Sequence, residues 1–431
     1  MSGEQIKPGY KLTEVGVIPE DWLVQSLGEL AIIRDGTHQT PKYQTSGVPF
    51  YSVEHVTSGD FENTKFISEQ EHQFLTRSVQ IQKGDILMTR IGSIGECKLI
   101  DWDVRASFYV SLALLKIKNA SAEYISQYTN HSAFKRETEL HSLQHAIPKK
   151  INLGAISSIK ISMPAAKAEQ RAIATTLSDV DALLTKLDQV IAKKRDLKQA
   201  TMQQLLTGKT RLPGFSGEWN VKRLGDIGSC LRGVTYKGDS DLLPYDTDQT
   251  RRLLRSNNVQ DSAVVIDDIQ FVNSNRVSPL QHLRPNDILI CMANGSKALV
   301  GKAGLFNVND GYKYTFGAFM GCFRTDQVSA HPTFIFYLFQ TARYKDYINN
   351  LLAGSSINNL SPGSIESLDF LIPSLTEQAA ISKILSDADV EISTLEVRHK
   401  KTLALKQGMM KQLLTGKIRL LACHVSGELT L

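Results

Sequence analysis

The chain has 431 residues, of which 42% are hydrophobic and 22% charged, and its formal net charge at pH 7 is +5. This composition is typical of a globular protein of roughly two or three domains, and the mildly basic balance permits a nucleic-acid partner. The opening MSGEQIKPGY has no apolar stretch, and no later run reaches the roughly 18 apolar residues of a membrane span. The five cysteines form no CxxC pair. We therefore expect a cytoplasmic protein with free thiols.

The first half of the chain is predicted to be a globular segment followed by a long helix. The apolar run VSLALLKIK (110–118) predicts a strand, and the stretch 145–164 predicts a polar loop with a strand that ends at Pro164. A helix from about 169 to 207 is then predicted, which stops at Thr207-Gly208. Its coiled-coil seam follows the alternating spacing of four and three residues. The seam consists of Ile173, Leu177, Val180, Leu184, Leu187 and Ile191.

The second half repeats this plan. The run AFMGCFR (318–324) predicts a strand, and 355–373 predicts a polar loop with a strand that ends at Pro373. A second long helix then stops at Thr415-Gly416. The seam positions expected to pair with the first helix are Ile381, Leu385, Ile392 and Leu395.

The two helices are copies of one another. Aligning Glu169 with Glu377 sets a shift of 208 positions, and matches then continue without a gap to QLLTGK at 204–209 and 412–417. Such a repeat indicates a duplicated scaffold, and the globular segments diverge more than the helices. If the helices pair antiparallel, a pseudo-two-fold axis results, which suits a duplex DNA target with two separated half-sites.

The order of short motifs resembles one family over essentially the whole chain. The opening YKLTEVGVIPEDWLVQSLGEL (10–30), the DGTH at 35–38, the GDIL…GSIG stretch and the doubled QLLTGK helix are similar to type I restriction–modification specificity subunits. The resemblance implies an α+β fold in which two mixed α/β target recognition domains are separated by two long antiparallel helices forming a coiled coil, with a pseudo-two-fold internal repeat. The implied divisions are 1–163 (first recognition domain), 164–208 (central helix), 209–372 (second recognition domain), 373–416 (C-terminal helix) and 417–431 (tail).

The same resemblance implies a function. Each recognition domain would read one half of a bipartite duplex DNA sequence, and the helices would bind two methyltransferase subunits and two motor-endonuclease subunits. The chain itself would carry no catalysis and no cofactor, because S-adenosylmethionine, ATP and Mg²⁺ would be used by the partner subunits. One alternative is a non-enzymatic protein-interaction scaffold with two domains on a coiled-coil spacer. The other is a stand-alone nuclease that uses Asp85, Glu96 and Lys98.

Three patterns invite an enzymatic or metal-binding interpretation, and each has a simpler one. Asp85, Glu96 and Lys98 have the spacing of a nuclease core, but the second copy keeps only Asp287. Gly208-Lys209-Thr210 lacks the first glycine of a phosphate-binding loop and follows a helix, so a helix cap is expected. His141 and His145 have helical spacing but no third metal ligand nearby. We therefore predict no catalytic residue and no metal site.

Base reading requires polar side chains on loops that reach a groove, and positioning requires Lys and Arg on phosphates. In the first domain the candidates lie on three loops. They are Arg34, Thr37, His38, Gln39 and Lys42; Arg90 and Ser93; and Gln144, Lys149 and Lys150. The second domain offers matching loops and a basic run. Its candidates are Arg232, Thr235, Tyr236 and Lys237; Asn294, Ser296 and Lys297; Ser355, Ser356 and Asn358; and Arg251, Arg252, Arg255 and Asn257.

Overall fold

The structure, a computed structural model, describes residues 6–143, 145–353 and 358–420. The chain divides into two compact units, one comprising the residues up to Asp188 and from Val397 onward, the other comprising Gln189–Glu396. Each unit therefore contains one globular segment of the repeat and a part of each long helix.

The first unit combines short strands with short helices. Its strands are β1 (Tyr10–Thr13), β2 (Gly16–Pro19), β3 (Trp22–Ser26), β4 (Ala31–Asp35), β5 (Val48–Tyr51), β6 (Lys65–Ile67), β7 (Ile86–Thr89), β8 (Cys97–Leu99), β9 (Ser107–Phe108), β10 (Leu112–Ile117) and β11 (Lys160–Pro164). Its helices are α1 (Leu27–Leu30), α2 (Val53–Ser58), α3 (Glu69–Leu75), α4 (Ala122–Thr129), α5 (Ser132–Leu140), α6 (Leu153–Ser158) and the start of the long α7 (Lys167–Leu205). The central antiparallel sheet has the order β4-β10-β7-β8, a smaller sheet has the order β6-β5-β9, and β3 pairs with β11.

The second unit repeats this arrangement with additions. Its strands are β12 (Asn220–Arg223), β13 (Gly228–Arg232), β14 (Leu242–Leu243), β15 (Thr250–Leu254), β16 (Val259–Gln260), β17 (Ala263–Val264), β18 (Gln270–Asn273), β19 (Asp287–Cys291), β20 (Ala303–Phe306), β21 (Tyr314–Phe316), β22 (Met320–Thr325) and β23 (Asp369–Ile372). Its helices are α8 (Gly238–Asp241), α9 (Pro332–Leu338), α10 (Ala342–Ala353), α11 (Pro362–Glu366) and the start of the long α12 (Leu375–Leu413). The central sheet has the order β13-β22-β19-β20-β17-β16, so the hairpin β16–β17 extends the four strands that match the first unit.

The central strands read as continuous apolar runs because both faces of the sheet are covered. In β7, Ile86 and Met88 pack into one core cluster, whereas Leu87 packs into another on the opposite face. In β19, Ile288 and Ile290 join one cluster and Leu289 joins another. This alternation across two cores is the reason that neither strand shows a polar face in the sequence.

The two long helices pair antiparallel, which confirms the predicted fold. In the first unit Ile173 and Leu177, from the start of α7, share a core with Leu413 near the end of α12. In the second unit Leu205, near the end of α7, shares a core with Ile381 at the start of α12. Each helix has 39 residues. Among the remaining predicted seam positions Leu184, Leu187, Leu385, Ile191 and Ile392 are buried, and Val180 and Leu395 are half-buried.

Symmetry-related ion pairs accompany the apolar seam. Lys406 Nζ lies 2.5 Å from Asp181 in the first unit, and Lys198 Nζ lies 2.5 Å from Asp389 in the second. These residues differ by the same 208 positions that relate the helices. Polar pairs of this kind fix the register of paired helices.

Each long helix ends in a glycine-capped turn. Gly208 and Gly416 have φ values of +69° and +68°, the left-handed conformation that glycine adopts without a Cβ penalty. The N-terminal segment then closes on the end of α12, since the Tyr10 hydroxyl donates to the carbonyl of Gly416 at 3.1 Å. The VSGEL sequence of the tail, which resembles SGEW at 216–219, lies outside the described residues.

Candidate nucleic-acid interface

A close backbone approach shapes the first candidate loop of each globular segment. A Cβ on Gly36, directly after β4, would lie 2.1 Å from the carbonyl oxygen of Phe108, and a Cβ on Gly233, directly after β13, would lie 2.0 Å from that of Gly317. Only glycine permits this approach. The loops are then held by backbone hydrogen bonds, including the one from the Val234 amide to the Phe316 carbonyl at 2.7 Å.

The second and third candidate loops meet at the same end of the sheet. In the first domain the amide of Gly92 donates to the carbonyl of Lys149 at 2.8 Å. The amide of Ile151 donates to the backbone carbonyl of Arg90 at 2.9 Å. In the second domain the amide of Leu360 donates to the carbonyl of Met292 at 2.8 Å. Loops that are far apart in the sequence therefore lie side by side and form one surface in each domain.

Most of the predicted contact residues are accessible on this surface. Exposed in the first domain are Arg34, His38, Gln39, Lys42, Ser93 and Lys149, and Thr37 and Lys150 are half-buried. Exposed in the second are Arg232, Thr235, Lys237, Asn257, Ser296 and Lys297, and Tyr236, Asn294 and Asn358 are half-buried. Gln144, Ser355 and Ser356 lie outside the described residues.

Arg90 departs from the expectation of an exposed loop residue. Its side chain is buried, and it donates to Asp35 at 3.1 Å and to the carbonyls of Val110 and Ile151 at 3.2 and 3.3 Å. The guanidinium thus joins all three loops of the first domain. Because the side chain is buried and bonded inside the protein, it organises the loops, and its predicted contact with DNA stays untested.

The basic run of the second domain is similarly committed. Arg252 donates to Asp246 at 2.8 Å and to the Tyr314 hydroxyl at 2.9 Å, and its guanidinium lies over the ring of Tyr312. Arg255 pairs with Asp268 at 2.9 Å. Arg251 donates to backbone carbonyls on either side of Gln249, those of Asp248 and Thr250. Arg252 and Arg255 therefore neutralise nearby carboxylates, and the contact of this run with DNA stays a prediction.

Two exposed phenylalanines at these loops were missed by sequence reasoning. Phe319 precedes β22 and is 70% exposed, and Phe74 is the next-to-last residue of α3 and is 65% exposed. Phe319 lines a cleft of about 620 Å³ that also contains Thr235 and Tyr236, and Phe74 lines one of about 530 Å³ that contains Arg34. The apolar run AFMGCFR predicts that Phe319 belongs to a buried strand. Its exposure is evident only from the structure, in which β22 starts after Phe319.

The aspartate of the nuclease-like pattern makes structural contacts. Asp85 accepts from the amide of Gln82 at 2.7 Å and from Lys116 Nζ at 2.6 Å, and its equivalent Asp287 pairs in the same way with Arg324 at 2.6 Å. The carboxylate is thus a repeated structural element of the sheet. Across the residues that the structure describes, no cluster of three His, Cys, Asp or Glu side chains could hold a metal ion, which includes the neighbourhood of His141 and His145.

The described cysteines are unpaired and shielded. Cys230, Cys291 and Cys322 are buried and Cys97 is half-buried. Burial raises the pKa of the Cys97 and Cys230 thiols to about 12. At neutral pH they are therefore protonated, weak nucleophiles.

Comparison with known proteins gives one consistent result. The family model described as "Type I restriction modification DNA specificity domain" matches residues 19–194 and again 216–404. The type I restriction enzyme StySPI specificity subunit of Salmonella potsdam is 32% identical over 49% of this chain and 43% of its own length. The chain thus aligns with less than half of that relative. A putative type I specificity subunit of Methanocaldococcus jannaschii is 24% identical over 95% of this chain and 96% of its own.

Solved structures show the same fold. The specificity subunit of a type I restriction–modification system from M. genitalium superposes with a TM-score of 0.61, covering 94% of this chain and 98% of that one at 16% identity. At this identity the likeness concerns the fold alone. Within the described part of the chain, no helix is long and apolar enough to cross a membrane.

Proposed function

The chain belongs to the family of type I restriction–modification specificity subunits, and from that premise we propose that it reads a bipartite duplex DNA sequence, one half per recognition domain. The observation that carries the proposal is the duplicated loop surface. Gly36 and Gly233 hold the first loop in the same close approach, while the preceding residue is Asp35 in one domain and exposed Arg232 in the other. An identical frame with different side chains suits two different half-sites.

The helices support a scaffolding role. The two copies expose leucines at equivalent places, since Leu197 and Leu405 are each 59% exposed. We propose that two methyltransferase subunits and two motor-endonuclease subunits assemble with this subunit, with the helices as docking elements. Catalysis, S-adenosylmethionine, ATP and Mg²⁺ would then belong to those partners, and the assembly would act in the cytoplasm.

The decisive experiment is a methylome. The full chain is expressed with its cognate methyltransferase subunit in a host without DNA methylation, and N6-methyladenine is mapped by single-molecule sequencing. We expect one new motif with two short specified halves around a fixed unread gap. Exchanging residues 22–163 for those of another family member should change one half and leave the other half and the gap intact.

The interaction-scaffold alternative predicts a different result. It requires a stable protein complex that places no sequence-dependent methylation and shows no salt-dependent binding of DNA. A domain exchange that alters both halves of the motif together would also contradict the assignment of one half to each domain.

A further inference from the structure

Phe319 is a large apolar side chain on a surface of polar loops. It is 70% exposed, although burial of a large apolar side chain is ordinarily favourable. It lies between β21 and β22, and it lines a cleft together with the candidate DNA-contacting residues Thr235, Tyr236 and Asn257. An exposed aromatic group at such a place is typical of a binding surface.

Hydrogen bonds hold the backbone on both sides of this side chain. The carbonyl of Phe319 accepts hydrogen bonds from the amides of Met292 and Ala293 at 2.9 and 3.1 Å. On the other side of the turn, the Gly233 amide donates to the carbonyl of Met320 at 3.2 Å. The backbone at Phe319 is therefore held by both neighbouring loops, so its Cα position is set before any ligand binds.

The first domain has a different residue at the same place. The register of β22 on β19 matches that of β10 on β7, so Phe319 occupies the position of Ser111. The amide of Arg90 donates to the Ser111 carbonyl at 2.9 Å, as the amide of Met292 does to Phe319. Ser111 is buried, so the exposed aromatic group is a property of the second domain and not of the shared scaffold.

Neighbouring groups define what Phe319 can contact. Thr235 and Tyr236 line the same cleft, and the Ala293–Asn294 segment adjoins its backbone. These polar side chains are of the types that hydrogen-bond base edges in the major groove. The apolar feature of that groove is the C5-methyl group of thymine, which phenylalanine contacts in protein–DNA complexes.

We propose that Phe319 is a specificity-determining residue, which contacts the methyl group of one thymine in the half-site read by the second domain. The inference rests on the proposed function and adds to it a chemical requirement, a T·A pair at one defined position of that half-site. It assigns no equivalent requirement to Ser111 in the other half.

Deletion of the methyl group from the DNA tests the contact directly. After the motif is known, each thymine of the second half-site is replaced singly by deoxyuridine in a synthetic duplex. Methylation by the complex of the full chain with its methyltransferase is then measured under subsaturating conditions. One replacement should lower the rate roughly fourfold, the effect of about 0.8 kcal/mol for one buried methyl group. Phe319→Ala should lower the rate on the thymine duplex and remove the sensitivity to deoxyuridine, whereas Phe319→Leu should retain part of it.

Matched controls separate this contact from other effects. Val328 is 87% exposed beyond the opposite end of β22, and Val328→Ala should leave both the rate and the deoxyuridine sensitivity unchanged. The inference is overturned if wild type ignores every deoxyuridine, if the second half-site contains no thymine, or if Phe319→Ala keeps the sensitivity. If Phe319→Ala loses methylation while wild type is insensitive to every deoxyuridine, the side chain would instead insert between base pairs as a wedge. If wild type methylates no bipartite motif, the proposed function fails and not this contact.

Discussion

Arg419 forms a bidentate ion pair with Glu169. Its Nε donates to Glu169 Oε1 at 2.6 Å, and its Nη2 donates to Glu169 Oε2 at 2.7 Å. Glu169 stands in the first turn of α7 and its side chain is only 3% exposed. Arg419 also reaches Asp21 at 2.7 Å. The pair therefore links the residues after α12 to the start of α7 and to the N-terminal segment, as Arg211 and Glu377 link the second unit.

Arg419→Met should destabilise the protein, because it leaves the buried Glu169 carboxylate without its partner. We expect the free energy of unfolding to fall by about 3 kcal/mol, at the lower end for one partner of a buried pair since Arg419 is partly exposed. Urea denaturation of the full chain measures this loss. The control Arg195→Met breaks an exposed pair with Glu396 and should cost less than about 1 kcal/mol. Equal losses in the two variants would contradict the importance of burial.

Because the two domains share the same close approach at the first loop, we expect Gly36→Ala and Gly233→Ala each to damage one half of DNA recognition. The added Cβ would overlap a carbonyl oxygen and displace the first loop, at a cost of about 1–3 kcal/mol. Methylome mapping should show relaxed sequence preference in one half of the motif for each variant, and a different half for each. The controls are Gly154→Ala and Gly238→Ala, where a Cβ meets no atom within 4 Å.

Arg34 and Arg232 should contribute to the salt dependence of DNA binding. Both are exposed beside the first loop, and within the described ranges neither forms an ion pair. If each contacts a phosphate, alanine substitution should reduce the slope of log K against log salt by about 1. Titration of the methyltransferase complex with its target duplex at several salt concentrations measures this slope. Arg343→Ala, which removes a partner of Asp369, should leave the slope unchanged.

His131 should make folding stability depend on pH. Burial, followed by the nearby charge of Arg136, lowers the pKa of His131 below its ordinary value of 6.5. A histidine whose pKa is lower in the folded state stabilises the fold fully above pH 6.5, and this contribution is lost as the pH falls from 6.5 toward the folded-state pKa. His131→Asn retains a side chain that can cap α5 but removes the titration. The melting temperature of this variant should therefore fall less between about pH 7 and pH 5 than that of wild type. An equal fall in both proteins would exclude His131 as a cause.

The sequence by itself determined the repeat, the two long helices and the family. The seam residues are alternately four and three positions apart, and the two copies align without a gap. This pattern depends only on nearby residues and can therefore be recognised from the sequence. The predicted helix from 169 to 207 is Lys167–Leu205 in the structure. Gly208 and Gly416 were also predictable as caps, because the left-handed turn after a helix favours glycine for local steric reasons.

Only the tertiary structure decided which polar residues are available to a ligand. Arg90 and Arg34 are the same residue type in loops of similar composition, yet Arg90 is buried by partners 20 to 61 positions away. The sequence predicts Phe319 to be a core residue, yet it is exposed, because β22 begins two residues later than the apolar run. Burial and ion pairing depend on groups brought together by long-range folding, and no local pattern of residues encodes them.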